Sequence, residues 1–214
     1  MFVATRMTEN PVTVTPDTSV TEAKNMMQKN KFRRLPIVQD GKLLGIVTDR
    51  DLREVSPSPA TTLAKHEANY LLDKILLRDI MKKKVLTICA DATIEEAALM
   101  MYKEKIGGLV VVDVNGAVVG IITETDIFKC FVDVMGLAEG KTRITLGGAD
   151  RIGMLHEITG VFKELDISID SMVALPGPDH QAQQIIRADV PDVELLTKKL
   201  GDKGYPVLHV AKIG

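Results

Sequence analysis

The first three-fifths of this chain is a unit of about 50 residues written twice. Met7-Thr8-Glu9-Asn10-Pro11-Val12-Thr13 is answered by Met81-Lys82-Lys83-Lys84-Val85-Leu86-Thr87, and Met26-Met27 by Met100-Met101. Between them, Asp17-Thr18-Ser19-Val20-Thr21-Glu22-Ala23 is answered by Asp91-Ala92-Thr93-Ile94-Glu95-Glu96-Ala97, all at an offset of 74. One inserted residue then aligns Gly41 with Gly116 and raises the offset to 75. From there Gly45-Ile46-Val47-Thr48-Asp49-Arg50-Asp51 matches Gly120-Ile121-Ile122-Thr123-Glu124-Thr125-Asp126. A unit repeated at this length folds the same way each time and buries its apolar face against its twin.

The local order within a copy follows from residue chemistry. Ser19 with Glu22, and Thr93 with Glu96, are hydroxyl and carboxylate three positions apart, the capping box that satisfies the free amides of a helix start. Apolar residues follow at helical spacing: Val20, Ala23 and Met27, then Ile94, Ala97, Ala98 and Met101. Next come two short apolar runs about a tight turn at Asp40-Gly41, and two more about Asn115-Gly116. A second helix starts at Thr48 or Thr123, so the predicted unit is β-α-β-β-α. Ser56-Pro57-Ser58-Pro59 breaks the chain between copies, and a helical stretch is predicted from Thr62 to Leu77, including Leu63, Tyr70, Leu71 and Ile75.

The tail has another pattern. Gly136-Leu137-Ala138-Glu139-Gly140 reads as a linker. Arg143–Leu146 reads as a strand, and Leu155, Ile158, Thr159, Phe162 and Leu165 as a helical stripe. Ile167, Ile169 and Val173 alternate as in a half-buried strand, and Pro176-Gly177-Pro178-Asp179 turns the chain before Gln183–Ala188. Pro191 opens a last helix with Val193, Leu196 and Leu200, and Pro206–Lys212 closes as a strand, giving the ferredoxin-like order β-α-β-β-α-β.

Composition removes several function classes. With 27 Lys and Arg against 29 Asp and Glu, the net charge of −2 supplies no field for nucleic acid. The start lacks an apolar signal core, and no run of about 18 apolar residues occurs, so a cytosolic chain without a membrane span is expected. Cys89 and Cys130 are read as two buried, reduced thiols, with Cys89 in a buried-strand context. His66, His156, His180 and His209 stand in separate elements without metal-ligand spacing, so no metal is expected. Asp49 with Asp51 and Glu124 with Asp126 alternate across helix starts rather than forming an acid–base pair, and Lys82-Lys83-Lys84 reads as a solvated charge run. No catalytic residues are assigned, and the chain is read as a non-enzyme.

The repeated Gly-hydrophobic-hydrophobic-Thr-x-x-Asp signature resembles the CBS-domain family over residues 1–135, and Asp150-Arg151-Ile152-Gly153-Met154-Leu155 resembles the strand–helix turn of an ACT domain. The resemblance implies an α/β architecture. Two β-α-β-β-α units (about 1–60 and 78–135, with a connecting helix at 61–77) pack as a pseudo-twofold pair. A linker at 136–142 and a βαββαβ ACT domain at 143–214 follow. This domain order is similar to that of acetoin-utilisation regulatory proteins.

For function, the resemblance implies a homodimeric sensor that binds adenine nucleotides in its clefts and modulates an unknown metabolic partner. S-adenosylmethionine or NAD is the alternative ligand, and an amino-acid-responsive adaptor the alternative role. No cofactor beyond the regulatory nucleotide is implied. Asp51 and Asp126 are suited to accept hydrogen bonds from a ribose diol, and Thr48 and Thr123, at helix starts, to receive phosphate. Family analogy places adenine against Val12, Thr13, Arg33 and Arg34, and in the second copy against Leu86, Thr87, Gly107 and Gly108.

Residues 1–53 hold nine Lys and Arg against six Asp and Glu. Arg33, Arg34 and Arg50 face uncharged counterparts at Gly107, Gly108 and Thr125, so the first copy's cleft is expected to prefer charged phosphates. In the ACT domain, Asp150, Gly153, Met154 and Ser168 are the effector positions. Ile152 departs from the family's usual proline there, and Ser168 from its common asparagine.

Overall fold

The computed structural model describes residues 1–56, 72–137, 140–177 and 181–212. The chain forms two compact units, Met1–Ile127 and Phe128–Gly214. Most of the predicted connecting helix, including Leu63, Tyr70 and Leu71, lies outside the described residues. Residues 72–74 are helical, and Leu72 is buried in the first copy's core.

In the first unit, strand β1 (Thr8–Glu9) leads to helix α1 (Val20–Asn30), strands β2 (Arg34–Gln39) and β3 (Lys42–Thr48), and helix α2 (Asp49–Glu54). A single turn of helix, α3 (Leu77–Ile80), precedes β4 (Thr87–Cys89), α4 (Ile94–Glu104), β5 (Gly108–Val112), β6 (Val118–Thr123) and α5 (Glu124–Val134), whose residues from Phe128 on belong to the second unit. Both predicted capping boxes form: Ser19 Oγ and Thr93 Oγ1 accept from the amides of Glu22 and Glu96, whose carboxylates accept from Ser19 and Thr93. Val20, Ala23 and Met27 face one core, and Ile94, Ala97 and Met101 its repeat.

The copies exchange their leading segments, a strand from the first and a single bridge at Lys82 from the second. Thr8 of the first copy pairs antiparallel with Ile121 of the second, and Lys82 of the second pairs with Ile46 of the first. The second sheet therefore runs β1-β6-β5-β4, with its edge strand supplied by the other copy. Both exchanges are backed by backbone bonds: Ile46 and Lys82 each donate to the other's carbonyl at 3.0 Å. Cys89 corrects the sequence reading. In the three-residue strand β4, Ile88 points inward and Cys89 is exposed, while Cys130 is buried.

The second unit orders β7 (Thr142–Ala149), α6 (Met154–Glu164), β8 (Ile169–Pro176), β9 (Gln181–Ala188), α7 (Val193–Asp202) and β10 (Val207–Lys212) in the sheet β10-β7-β9-β8. This is the predicted βαββαβ order. Its core gathers Ile144, Leu146, Ile158, Val161, Phe162, Ile186, Leu196 and Tyr205. The helical stripe is turned from its predicted position: Met154, Ile158, Val161 and Phe162 are buried, whereas Leu155 is 49% exposed. Asp192, not Pro191, caps α7 by accepting from the Leu195 amide at 2.9 Å.

Candidate functional site

Each Thr-x-x-Asp motif closes a strand and opens a helix. Thr48 donates to Asp51 Oδ2 through its amide at 2.8 Å and through Oγ1 at 2.6 Å. Thr123 does the same to Asp126 Oδ2, at 2.8 Å for both. One oxygen of each carboxylate is thus committed to the helix start, as the motif's spacing requires.

The second oxygens differ. Asp51 is 7% exposed, and its Oδ1 pairs with Lys82 Nζ at 3.0 Å. Asp126 is half-buried, and its Oδ1 has no partner among the described residues. Burial disfavours the charged form of Asp51, but hydrogen bonds from the Thr48 hydroxyl, from Lys82 and from the Thr48 amide outweigh it, holding the carboxyl below its ordinary pKa.

Two hollows open beside these helix starts, and each draws on both copies. The larger, about 470 Å³, joins Thr48 and Arg50 of the first copy to Leu86, Gly107 and Gly108 of the second. The smaller, about 380 Å³, joins Val12 of the first to Thr123 and Asp126 of the second. Arg33 and Arg34 line both. The sequence-based grouping by copy is therefore crossed, because the exchanged strands seat each copy's first segment beside the other copy's Thr-x-x-Asp motif. Thr13 is exposed, Thr87 sits in β4 opposite Val110, and Asp51 is paired with Lys82; none of these three lines either hollow.

Arg34 lies across the second copy's glycine pair. A methyl at Gly107 would overlap its guanidinium, and one at Gly108 would stand 2.9 Å from the Ile122 carbonyl oxygen and 3.2 Å from Arg34 Nε. At Gly108 the close approach of the Ile122 carbonyl requires glycine, whereas at Gly107 the Arg34 and Glu124 side-chain ends would have to move. Burial lowers the Arg34 pKa and the neighbouring Arg33 charge adds to this, while Glu124 and Asp49 oppose it.

Charge separates the two hollows. Lys82, Lys84, Lys105, Arg50 and Arg53 join Arg33 and Arg34 around the larger one, against Asp49 and Glu124. The smaller has Lys31, Arg33 and Arg34 with Asp126. Sequence reasoning missed Lys82, Lys84 and Lys105. The run at 82–84 is not simply solvated, since Lys82 pairs with Asp51 and both Lys82 and Lys84 line the larger hollow. The repeat gives only a partial signal: it aligns Lys82 with Thr8, and the structure shows both residues beside the other copy's motif.

In the second unit, Asp150, Gly153 and Met154 line a hollow of about 430 Å³ at the β7–α6 turn, but Ser168 lines a different one with Thr159 and Lys163. The first of these hollows also contains Gln184, which is 1% exposed. Its Oε1 has no hydrogen-bond partner among the described residues, and its Nε2 is 3.9 Å from Met154 Sδ. A buried acceptor without a donor costs about 1–3 kcal/mol. Gln184→Leu is therefore expected to raise stability by about 1 kcal/mol, read as a higher urea midpoint at unchanged slope; a lower midpoint would show that the amide is satisfied in solution.

The CBS domain model matches residues 3–58 and 77–133. The chain belongs to the CBS domain family. The ACT domain model matches residues 142–203, so a CBS pair precedes an ACT domain. Among solved structures, AcuB from Vibrio cholerae, named for acetoin utilization, is 32% identical with a TM-score of 0.53 over 65% of this chain and 96% of that one. The CBS domain pair of protein MJ0100, in complex with 5′-methylthioadenosine and S-adenosyl-L-methionine, is 30% identical with a TM-score of 0.52 over 62% and 97%. CBSX2 in complex with AMP is 27% identical with a TM-score of 0.52 over 62% and 97%. An inosine-5′-monophosphate dehydrogenase of Aquifex aeolicus is 30% identical over 193 residues, but this chain spans only 37% of its length. No described helix is long and apolar enough to cross a membrane.

Proposed function

We propose that this CBS–ACT chain is a non-catalytic sensor that holds an adenosine-bearing ligand in its CBS hollows and passes the resulting change to a metabolic partner. The observation that carries the reading is Asp126. Its Oδ2 is fixed by Thr123, and its Oδ1 remains available in a hollow of about 380 Å³. A rigidly held carboxylate oxygen is a good acceptor for a ribose hydroxyl. Related CBS structures contain 5′-methylthioadenosine, S-adenosyl-L-methionine and AMP, which share the adenosine that this carboxylate would read.

The larger hollow, ringed by seven cationic side chains, suits a ligand with several phosphates. ADP or ATP is therefore the proposed ligand there, with AMP the adenine nucleotide least favoured by this charge. A ligand changes the partner only by favouring one arrangement of the pair over another. Acetoin metabolism is the proposed setting, by likeness to AcuB, and the homodimer is carried forward as part of the proposal.

Calorimetric titration of the whole chain with AMP, ADP, ATP, NAD and S-adenosylmethionine tests this. Binding of at least one in the micromolar range is expected; no heat with any of the five would refute the sensor reading. A second reading, an adaptor responsive to amino acids, draws support from the unpartnered Gln184 oxygen at the β7–α6 hollow. A thermal shift with a free amino acid, absent in Gln184→Leu, would favour it.

A further inference from the structure

The duplication supplies an internal control for every residue at the two clefts. Met7 and Met81, Thr48 and Thr123, and Asp51 and Asp126 are matched pairs in the repeat. Lys82 is not matched: its counterpart at the same register, on the strand paired beside the other copy's motif, is Thr8. Lys82 Nζ sits 3.0 Å from Asp51 Oδ1, while Thr8 leaves Asp126 Oδ1 without a partner among the described residues.

The Lys82 side chain is 62% exposed and also lines the larger hollow. Its backbone is anchored to Ile46 by two hydrogen bonds. The ammonium can therefore swing on its four-carbon stem without disturbing the sheet.

We propose that Lys82 is a latch that makes the larger cleft depend on ligand phosphate. This rests on the nucleotide reading above and deepens it. In the unliganded cleft, Lys82 stands between the hollow and Asp51, which is 7% exposed and off the hollow's lining, and occupies the oxygen that a ribose would use. A nucleoside without phosphate has nothing to offer the ammonium and must displace it against its ion pair. A polyphosphate draws Lys82 away, since two or three negative groups within reach outbid one carboxylate, and so releases Asp51 for the sugar. The smaller cleft has no such latch and accepts adenosine with or without phosphate. One chain thereby carries a phosphate-indifferent site and a phosphate-dependent site.

The test exchanges the two repeat partners in the full chain. Wild type, Lys82→Thr and Thr8→Lys are titrated by calorimetry with adenosine and with ATP. Wild type is expected to bind one adenosine but two ATP. Lys82→Thr should gain a second adenosine site and lose about 10-fold in ATP affinity at that site, the scale of one charge-assisted contact. Thr8→Lys should lose its adenosine site. An adenosine-to-ATP affinity ratio unmoved by Lys82→Thr would overturn the latch while leaving the nucleotide reading standing. Failure of ATP to bind wild type would overturn both. Thr8 and Lys82 are exposed, so neither exchange disturbs the core.

Discussion

Asp126→Ala is expected to weaken AMP and ATP binding at the smaller cleft by about 10- to 100-fold, the loss of one or two charge-assisted hydrogen bonds to a ribose. Asp51→Ala is expected to cost ATP much less, about 3-fold, because the same substitution removes the carboxylate that holds Lys82 and frees that ammonium for phosphate. Calorimetry on the two variants decides the matter: equal losses would refute the difference between the clefts.

The two variants share a structural cost, since each removes the N3 carboxylate of a capping box, about 1 kcal/mol. For Asp51 that contribution has a defined pH window. Its folded pKa lies below the ordinary 3.8, so the stabilisation is fully present above that value and is lost as pH falls through the depressed folded pKa. An acid unfolding curve of Asp51→Ala should therefore converge with wild type only below about pH 4.

Phe162→Ala is expected to destabilise the ACT unit by about 3–5 kcal/mol, and Leu155→Ala by less than about 0.5 kcal/mol. Phe162 is 1% exposed within the cluster of Ile144, Leu146, Ile158 and Ile186, whereas Leu155 is 49% exposed. Urea denaturation followed by circular dichroism separates the two; similar losses would mean that the helix packs on the face predicted from its sequence pattern. The contrast also shows where one-dimensional reading ran out. Leu155, Ile158, Phe162 and Leu165 fit a helical period as well as Met154, Ile158, Val161 and Phe162 do. Only the sheet beneath decides between two stripes that share Ile158 and Phe162 and differ at their edges.

The order of elements in both units was legible, because capping boxes, turn glycines and apolar periods are local signals. The signature residues Thr48, Asp51, Thr123 and Asp126 were legible for the same reason. The composition of each cleft was not. No local pattern says that Val12 will stand with Asp126, or Leu86 with Thr48, since that depends on which sheet each first strand joins. Lys82 was hidden in a run of three lysines, where chemistry alone gives no reason to prefer one. Cys89 was misplaced because a three-residue strand reveals its inward face only by register.

The reciprocal pairing of Thr8 with Ile121 and of Lys82 with Ile46 has one more consequence. Neither copy owns a complete sheet, so cutting the chain between the copies would yield two fragments, each missing an edge segment that the other carries. A chain bearing just one half could rebuild the arrangement solely by trading arms with a sister molecule. The duplicated architecture is, in that sense, an exchanged dimer whose subunits have been joined end to end. The two arms differ at this register, one bearing threonine and the other lysine.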